Sequence, residues 1–151
     1  MAINSEFTAG QVLTAAQQNA LPFGIVGITN LTSAFSSAST SVVAITGLSV
    51  TFTAVANRRY LIVLMHSAFN SASGITQTYI CNGTTILNEA RSGPLSTQTY
   101  SNVQFFVQTP GAGSVTYNAR MNVTSGTSTF YDTGTNAPLA CRIMVLDVGN
   151  A

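Results

Sequence analysis

Along residues 48–56 the apolar side chains of Leu48, Val50, Phe52, Ala54 and Ala56 alternate with Ser49, Thr51 and Thr53. A period of two sends successive side chains to opposite faces, so this segment reads as a strand with one face buried and one wet. Segments of the same kind recur at short spacing, over residues 60–69, 75–81, 84–88, 98–108, 114–123, 127–131 and 139–148. Turn formers separate them: Asn57-Arg58-Arg59, Asn82-Gly83, Pro110-Gly111-Ala112-Gly113, Ser125-Gly126 and Thr133-Gly134-Thr135-Asn136. Asn82-Gly83 is the sharpest of these signals, because both residues tolerate the positive φ angles of a type I′ hairpin turn. Residues 60–69 are almost continuously apolar, which predicts a central strand covered on both faces.

Eight or nine short strands, with no helical period between them, predict an all-β fold: a two-sheet antiparallel sandwich, with a jelly roll as the leading topology. No period of 20 to 50 residues repeats, which sets solenoids and propellers aside. The beginning of the chain differs. Residues 7–13 are extended and sparse, and Thr14-Ala15-Ala16-Gln17 matches a capping box that would start a short helix over residues 15–20, stopped by Pro22. The expected organisation is therefore an extended and helical N-terminal arm, residues 1–24, followed by a sandwich domain, residues 25–151.

Charge is scarce. The 151 residues carry five arginines, no lysine and four acids, where a soluble domain is normally about a quarter charged, while about a third of the chain is Ser, Thr or Asn. With so little repulsion between copies, such a surface suits docking on other subunits better than free diffusion. The five cations do not cluster, which argues against nucleic acid as a partner. The longest apolar run, residues 60–65, is far short of the ~20 residues of a spanning helix, which argues against an integral membrane protein. The first six residues lack a basic and then apolar leader, so synthesis is expected in the cytoplasm.

Few residues offer chemistry. The lone histidine, His66, sits inside an apolar run and reads as a core or interface residue rather than a general base. One histidine, two distant cysteines and four scattered acids make no dedicated metal site, and no cofactor motif stands out. A glycosidase-like pair of carboxylates would have to come from Glu6, Glu89, Asp132 and Asp147, of which Glu89 and Asp132 are both near loops. Cys81 and Cys141 lie in strand-like segments without CxxC spacing and read as two buried thiols, with a single bridge as the alternative. Arg58-Arg59 is the only charge doublet, suited to a solvated turn or to clamping an acidic group of a neighbouring subunit. Arg142 and Asp147 interrupt the last apolar strand. Because a buried unpaired charge costs several kcal/mol, both are expected at an edge or a subunit contact.

The run Phe7-Thr8-Ala9-Gly10-Gln11-Val12-Leu13-Thr14-Ala15-Ala16, then Val50-Thr51-Phe52-Thr53-Ala54 leading to Arg58-Arg59-Tyr60, and the closing Ile143-Met144-Val145-Leu146-Asp147-Val148-Gly149 resemble small virion proteins of tailed bacteriophages. The resemblance implies a jelly-roll subunit without enzymatic activity that forms homotrimers. It would cement the outer capsid lattice against the major capsid protein, or alternatively serve as a tail, collar or fibre component. The arm, with Phe7, Val12, Leu13 and Phe23 as apolar anchors beside the Arg58-Arg59 doublet, would dock on a neighbour or on the shell. If the subunit is trimeric, side chains such as Phe105 or Val107 would be buried about the axis. Removing residues 1–24 would then leave a folded trimer unable to bind the shell. A second class of function is carbohydrate binding on a platform of Tyr79, Tyr100, Tyr117 and Tyr131, although the chain has no Trp to contribute.

Overall fold

The structure, a computed structural model, describes residues 21–93, 99–132 and 140–151 together with Val12, Thr14 and Ala15. Ten strands run through these residues: β1 Gly24–Asn30, β2 Phe35–Ser37, β3 Val43–Ala54, β4 Arg58–Asn70, β5 Thr76–Asn82, β6 Thr85–Arg91, β7 Thr99–Gln108, β8 Gly113–Val123, β9 Ser128–Phe130 and β10 Arg142–Asn150. All pair antiparallel, in two sheets. One sheet has the order β1-β10-β4-β9-β2, with β7 on the other flank of β4, and the second has the order β3-β8-β5-β6. The chain switches sheets at most connections, from β3 to β4 to β5 and again from β6 to β7 to β8. This is the jelly-roll sandwich that the strand spacing predicted.

The alternation in β3 is realised as expected. Leu48, Val50 and Ala54 are buried, and Ser49, Thr51 and Thr53 face water. They meet Tyr60, Ile62 and Leu64 of β4 and Tyr117, Ala119 and Met121 of β8 in one core between the sheets. Each such side chain, fully buried, contributes about 1.5–3 kcal/mol. Tyr60 also serves as a polar strut, its hydroxyl accepting the Val55 N–H at 3.0 Å.

Several details depart from expectation. The β5–β6 hairpin turns at Gly83-Thr84 rather than Asn82-Gly83, with positive φ at Gly83 alone (59°). Glycine in the first central position is the pattern of a II′ turn, and Asn82 stays in the ladder opposite Thr85. The turn before β4 is at Ala56-Asn57, with Asn57 left-handed (φ 60°), and Arg58 and Arg59 belong to the strand. β1 and β2, which have no sharp alternation, were not foreseen as strands. Of the arm, Ala15 is helical, but Phe7, Leu13 and the rest of the expected helix, residues 16–20, lie outside the described residues, as does the turn at 133–136.

One glycine is required by packing. β1 crosses β3 so closely that a Cβ on Gly27 would stand well inside van der Waals contact with Val50 Cγ1. Gly27→Ala is expected to lower the unfolding free energy by about 1–3 kcal/mol in urea denaturation. With Val50→Ala added, the double variant should be less destabilised than the sum of the two single changes.

Candidate interaction surface

Strand register decides which side chains leave the sandwich. On the outer side of the larger sheet it aligns three rows across the strands: Ile28, Met144, Val63 and Phe105; Ile25, Leu146, Leu61 and Val107; and Arg142, Met65 and Val103. Arg142 interrupts the third row and pairs on to the exposed Asn30 of β1, and every other member is apolar. The outer side of the β3-β8-β5-β6 sheet is the opposite. There Thr51 and Thr116 share a hydrogen bond (2.8 Å), Gln77 donates to Glu89 (2.9 Å), Tyr79 donates to Asn122 (3.0 Å), and Arg91 pairs with Glu89. One sandwich thus carries a wet face and a greasy face.

β7 makes the contrast sharpest, because its pattern is inverted. Gln104 points into the sandwich and is 4% exposed, while its neighbour Phe105 points outward and is 68% exposed. Inside, the Gln104 amide donates to Thr78 Oγ1 (2.6 Å), and Thr78 Oγ1 lies 3.0 Å from His66 Nε2. His66 is in the core as expected, its ring also near Phe130 and Tyr100, each 5.8 Å between centroids. Burial pushes its pKa down to about 4, so it is a neutral hydrogen-bonding group with no carboxylate or thiol paired to it.

The sequence-derived contact residues do not gather into one site. Val12 is exposed, and Phe7 and Leu13 lie outside the described residues. Arg58, expected to be available to a neighbouring subunit, is buried. It grips Asp147 through two hydrogen bonds, Nε to Oδ2 at 2.5 Å and Nη2 to Oδ1 at 2.7 Å. Its Nη2 also donates to the Leu21 carbonyl (2.6 Å), and its guanidinium lies 4.2 Å from the Phe23 ring centre, so it ties the start of β1 to the end of β10. Asp147 likewise faces inward rather than to an edge. Burial raises its pKa, but the Arg58 hydrogen bond, the Gly149 N–H, the Arg58 charge and the Phe23 N–H outweigh that and hold the carboxyl below its usual range. Arg59 stays at the surface, where its Nε donates to the Asn150 carbonyl (2.9 Å).

The other expected chemistries are also dispersed. Glu89 stands on the wet face in β6, whereas Asp132 lies just after β9, is buried and accepts the Ala34 N–H (3.1 Å). Tyr117 is in the core and Tyr100 lies on the inner side of β7, so the four tyrosines form no platform. Cys81 and Cys141 are separate buried thiols, and burial pushes both up in pKa. Among the described residues no three His, Cys, Asp or Glu side chains come together, and no pocket opens.

These features define a jelly-roll β-sandwich with one apolar outer sheet. No protein-family model matches the chain, and no curated protein matches its sequence. Among solved structures it is similar to the Eiger TNF of S. frugiperda, with a TM-score of 0.51 at 10% identity over 85% of this chain and 95% of that one. Weaker similarities reach dimeric latent PorU from Porphyromonas gingivalis (TM-score 0.48, 10% identity, 95% of this chain) and T=1 particles derived from infectious bursal virus (TM-score 0.42, 10% identity, 100% of this chain). The chain spans 14% and 40%, respectively, of those two proteins. At 10% identity the likeness to the Eiger TNF shows the fold alone.

Two measurements follow from the buried polar groups. Asp147→Asn leaves the guanidinium without its countercharge and should cost about 3–5 kcal/mol of stability, whereas Arg58→Met combined with Asp147→Leu should recover most of it. For His66, the unfolded chain takes up a proton near pH 6.5 that the folded chain refuses until about pH 4. Stability should therefore fall as the pH drops through that window, by about 3 kcal/mol in all, and His66→Gln should flatten the slope in denaturation series.

Proposed function

We propose that this chain is a structural protein of a tailed-bacteriophage virion: a non-enzymatic capsid cement subunit that acts as a homotrimer, binds the major capsid protein and sits on the outer capsid surface. One observation carries the reading, the opposite chemistry of the two outer faces. A protein whose product is an assembly needs one surface that other protein covers and one that water wets, and the chain has both. A soluble enzyme would instead keep its apolar side chains inward and gather its titratable groups in a cleft. The charge-poor composition and the resemblance of residues 7–16 and 143–149 to small virion proteins support the same reading.

The arm is then the element that reaches the shell. Because Arg58 holds the Leu21 carbonyl and the Phe23 ring, the informative truncation ends at residue 20 rather than 24. Purified full-length protein should co-sediment with undecorated phage capsids, and a chain lacking residues 1–20 should stay folded in the supernatant. Binding to tail complexes or to glycans, with capsids ignored, would replace cement by a tail, collar or fibre role.

A further inference from the structure

We propose that the apolar outer face of the β1-β10-β4-β7 sheet is buried between copies of this chain, so that its occupant is a second copy rather than the capsid shell. The inference deepens the reading above and rests on it for the setting in which the copies assemble. Its first support is area. Ile25, Ile28, Met65, Val103, Phe105 and Val107 are between 37% and 68% exposed, and at ~150–200 Å² for a fully open large side chain they leave on the order of 500 Å² uncovered. The half-buried side chains of β4 and β10 between them make the patch continuous and larger still. That already reaches the ~300–600 Å² of the largest patch on a typical monomer and approaches the ~800 Å² each partner gives to a standard stable interface.

The second support is the inversion of β7. Directing Gln104 inward requires a buried hydrogen-bond network to satisfy it, and directing Val103, Phe105 and Val107 outward leaves three large apolar groups wet. Both choices are unfavourable for a free monomer. They become favourable together when the outer side of β7 is itself an interior.

The third support is charge. The face carries two arginines, Arg142 in one row and Arg59 at the margin of β4, and no acid, so it offers little for a charged partner surface to pair with. It is complementary to another apolar sheet, and the apolar sheet always present at the same concentration is that of another copy. Closed symmetry lets every copy cover its own patch this way before any capsid is met.

The test is the molar mass of the purified protein by light scattering in the absence of capsids. Wild type should run as an oligomer. Phe105→Glu, and independently Val103→Arg in case the first variant fails to fold, should run as a single chain with an unchanged far-ultraviolet spectrum. Thr51→Glu, the equivalent change on the wet face, should keep the oligomeric mass. A monomeric wild type, or an oligomer indifferent to both outward β7 variants, overturns the proposal. Capsid co-sedimentation in parallel separates the two readings. A wild-type monomer that pellets with capsids sinks the self-interface and the homotrimer while the cement role stands, and an oligomer split by Phe105→Glu that ignores capsids sinks the cement role alone.

Discussion

The register of β4 against β7 and β10 is the constraint on which the rest of the molecule hangs. Side chains alternate across a sheet, so a slip of one residue at either pairing would exchange the inner and outer sets of the larger sheet. Two devices hold the register. The Arg58–Asp147 pair fastens one end of β4 to β10. It is helped by an irregularity in β10 between Asp147 and Gly149 that lets Asp147 face inward while Gly149 donates to its carboxylate. Towards the other end, Gln104 must find Thr78 across the sandwich, and a slipped β7 would bury Phe105 and strand Gln104 in water. Ionic and polar contacts are poor sources of net stability when buried, but they discriminate well between registers.

The interior changes character along β4. Around Tyr60, Ile62 and Leu64 it is apolar and packed against Leu48, Val50, Ile143 and Val145. From His66 to Asn70 it becomes polar: Thr78 shares hydrogen bonds with His66 and Gln104, and Thr76 with Asn70 and Ser128. The apolar half supplies most of the stability. The polar half supplies direction, since the bonds of Gln104 and His66 to Thr78 and of Asn70 to Thr76 form only in one arrangement.

Strand positions, the sandwich and the buried histidine were legible in the sequence because they rest on local signals: alternation, turn residues, and a lone polar group in an apolar run. The outer face was less legible, and the reason is specific. In the middle of β4 and β10, residues 60–65 and 143–146, every residue is apolar, so alternation carries no contrast between the two sides, and 60–69 read as covered on both faces although its outer side is half open. In β7 the contrast points largely the other way: Asn102, Gln104 and Gln108 face inward beside Tyr100 and Phe106, while Val103, Phe105 and Val107 face outward. Phe105 and Val107 could be named as residues for a subunit contact, but choosing the face required the register. Arg58 misled because its partner lies 89 residues away, beyond the reach of any local pattern.

That separation also shapes how the molecule comes into being. The greasy face is assembled from β1, β4, β7 and β10, which are spread along most of the chain, and β1 finds its ladder partner only in β10. Contacts between residues so far apart in sequence form late and slowly. A chain emerging from the ribosome can pair β4 with β7, but β1 has no ladder partner and the face lacks half its strands until β10 is made, so it cannot offer neighbouring nascent chains the finished patch. The surface most prone to indiscriminate sticking comes into existence only together with the fold that gives it shape.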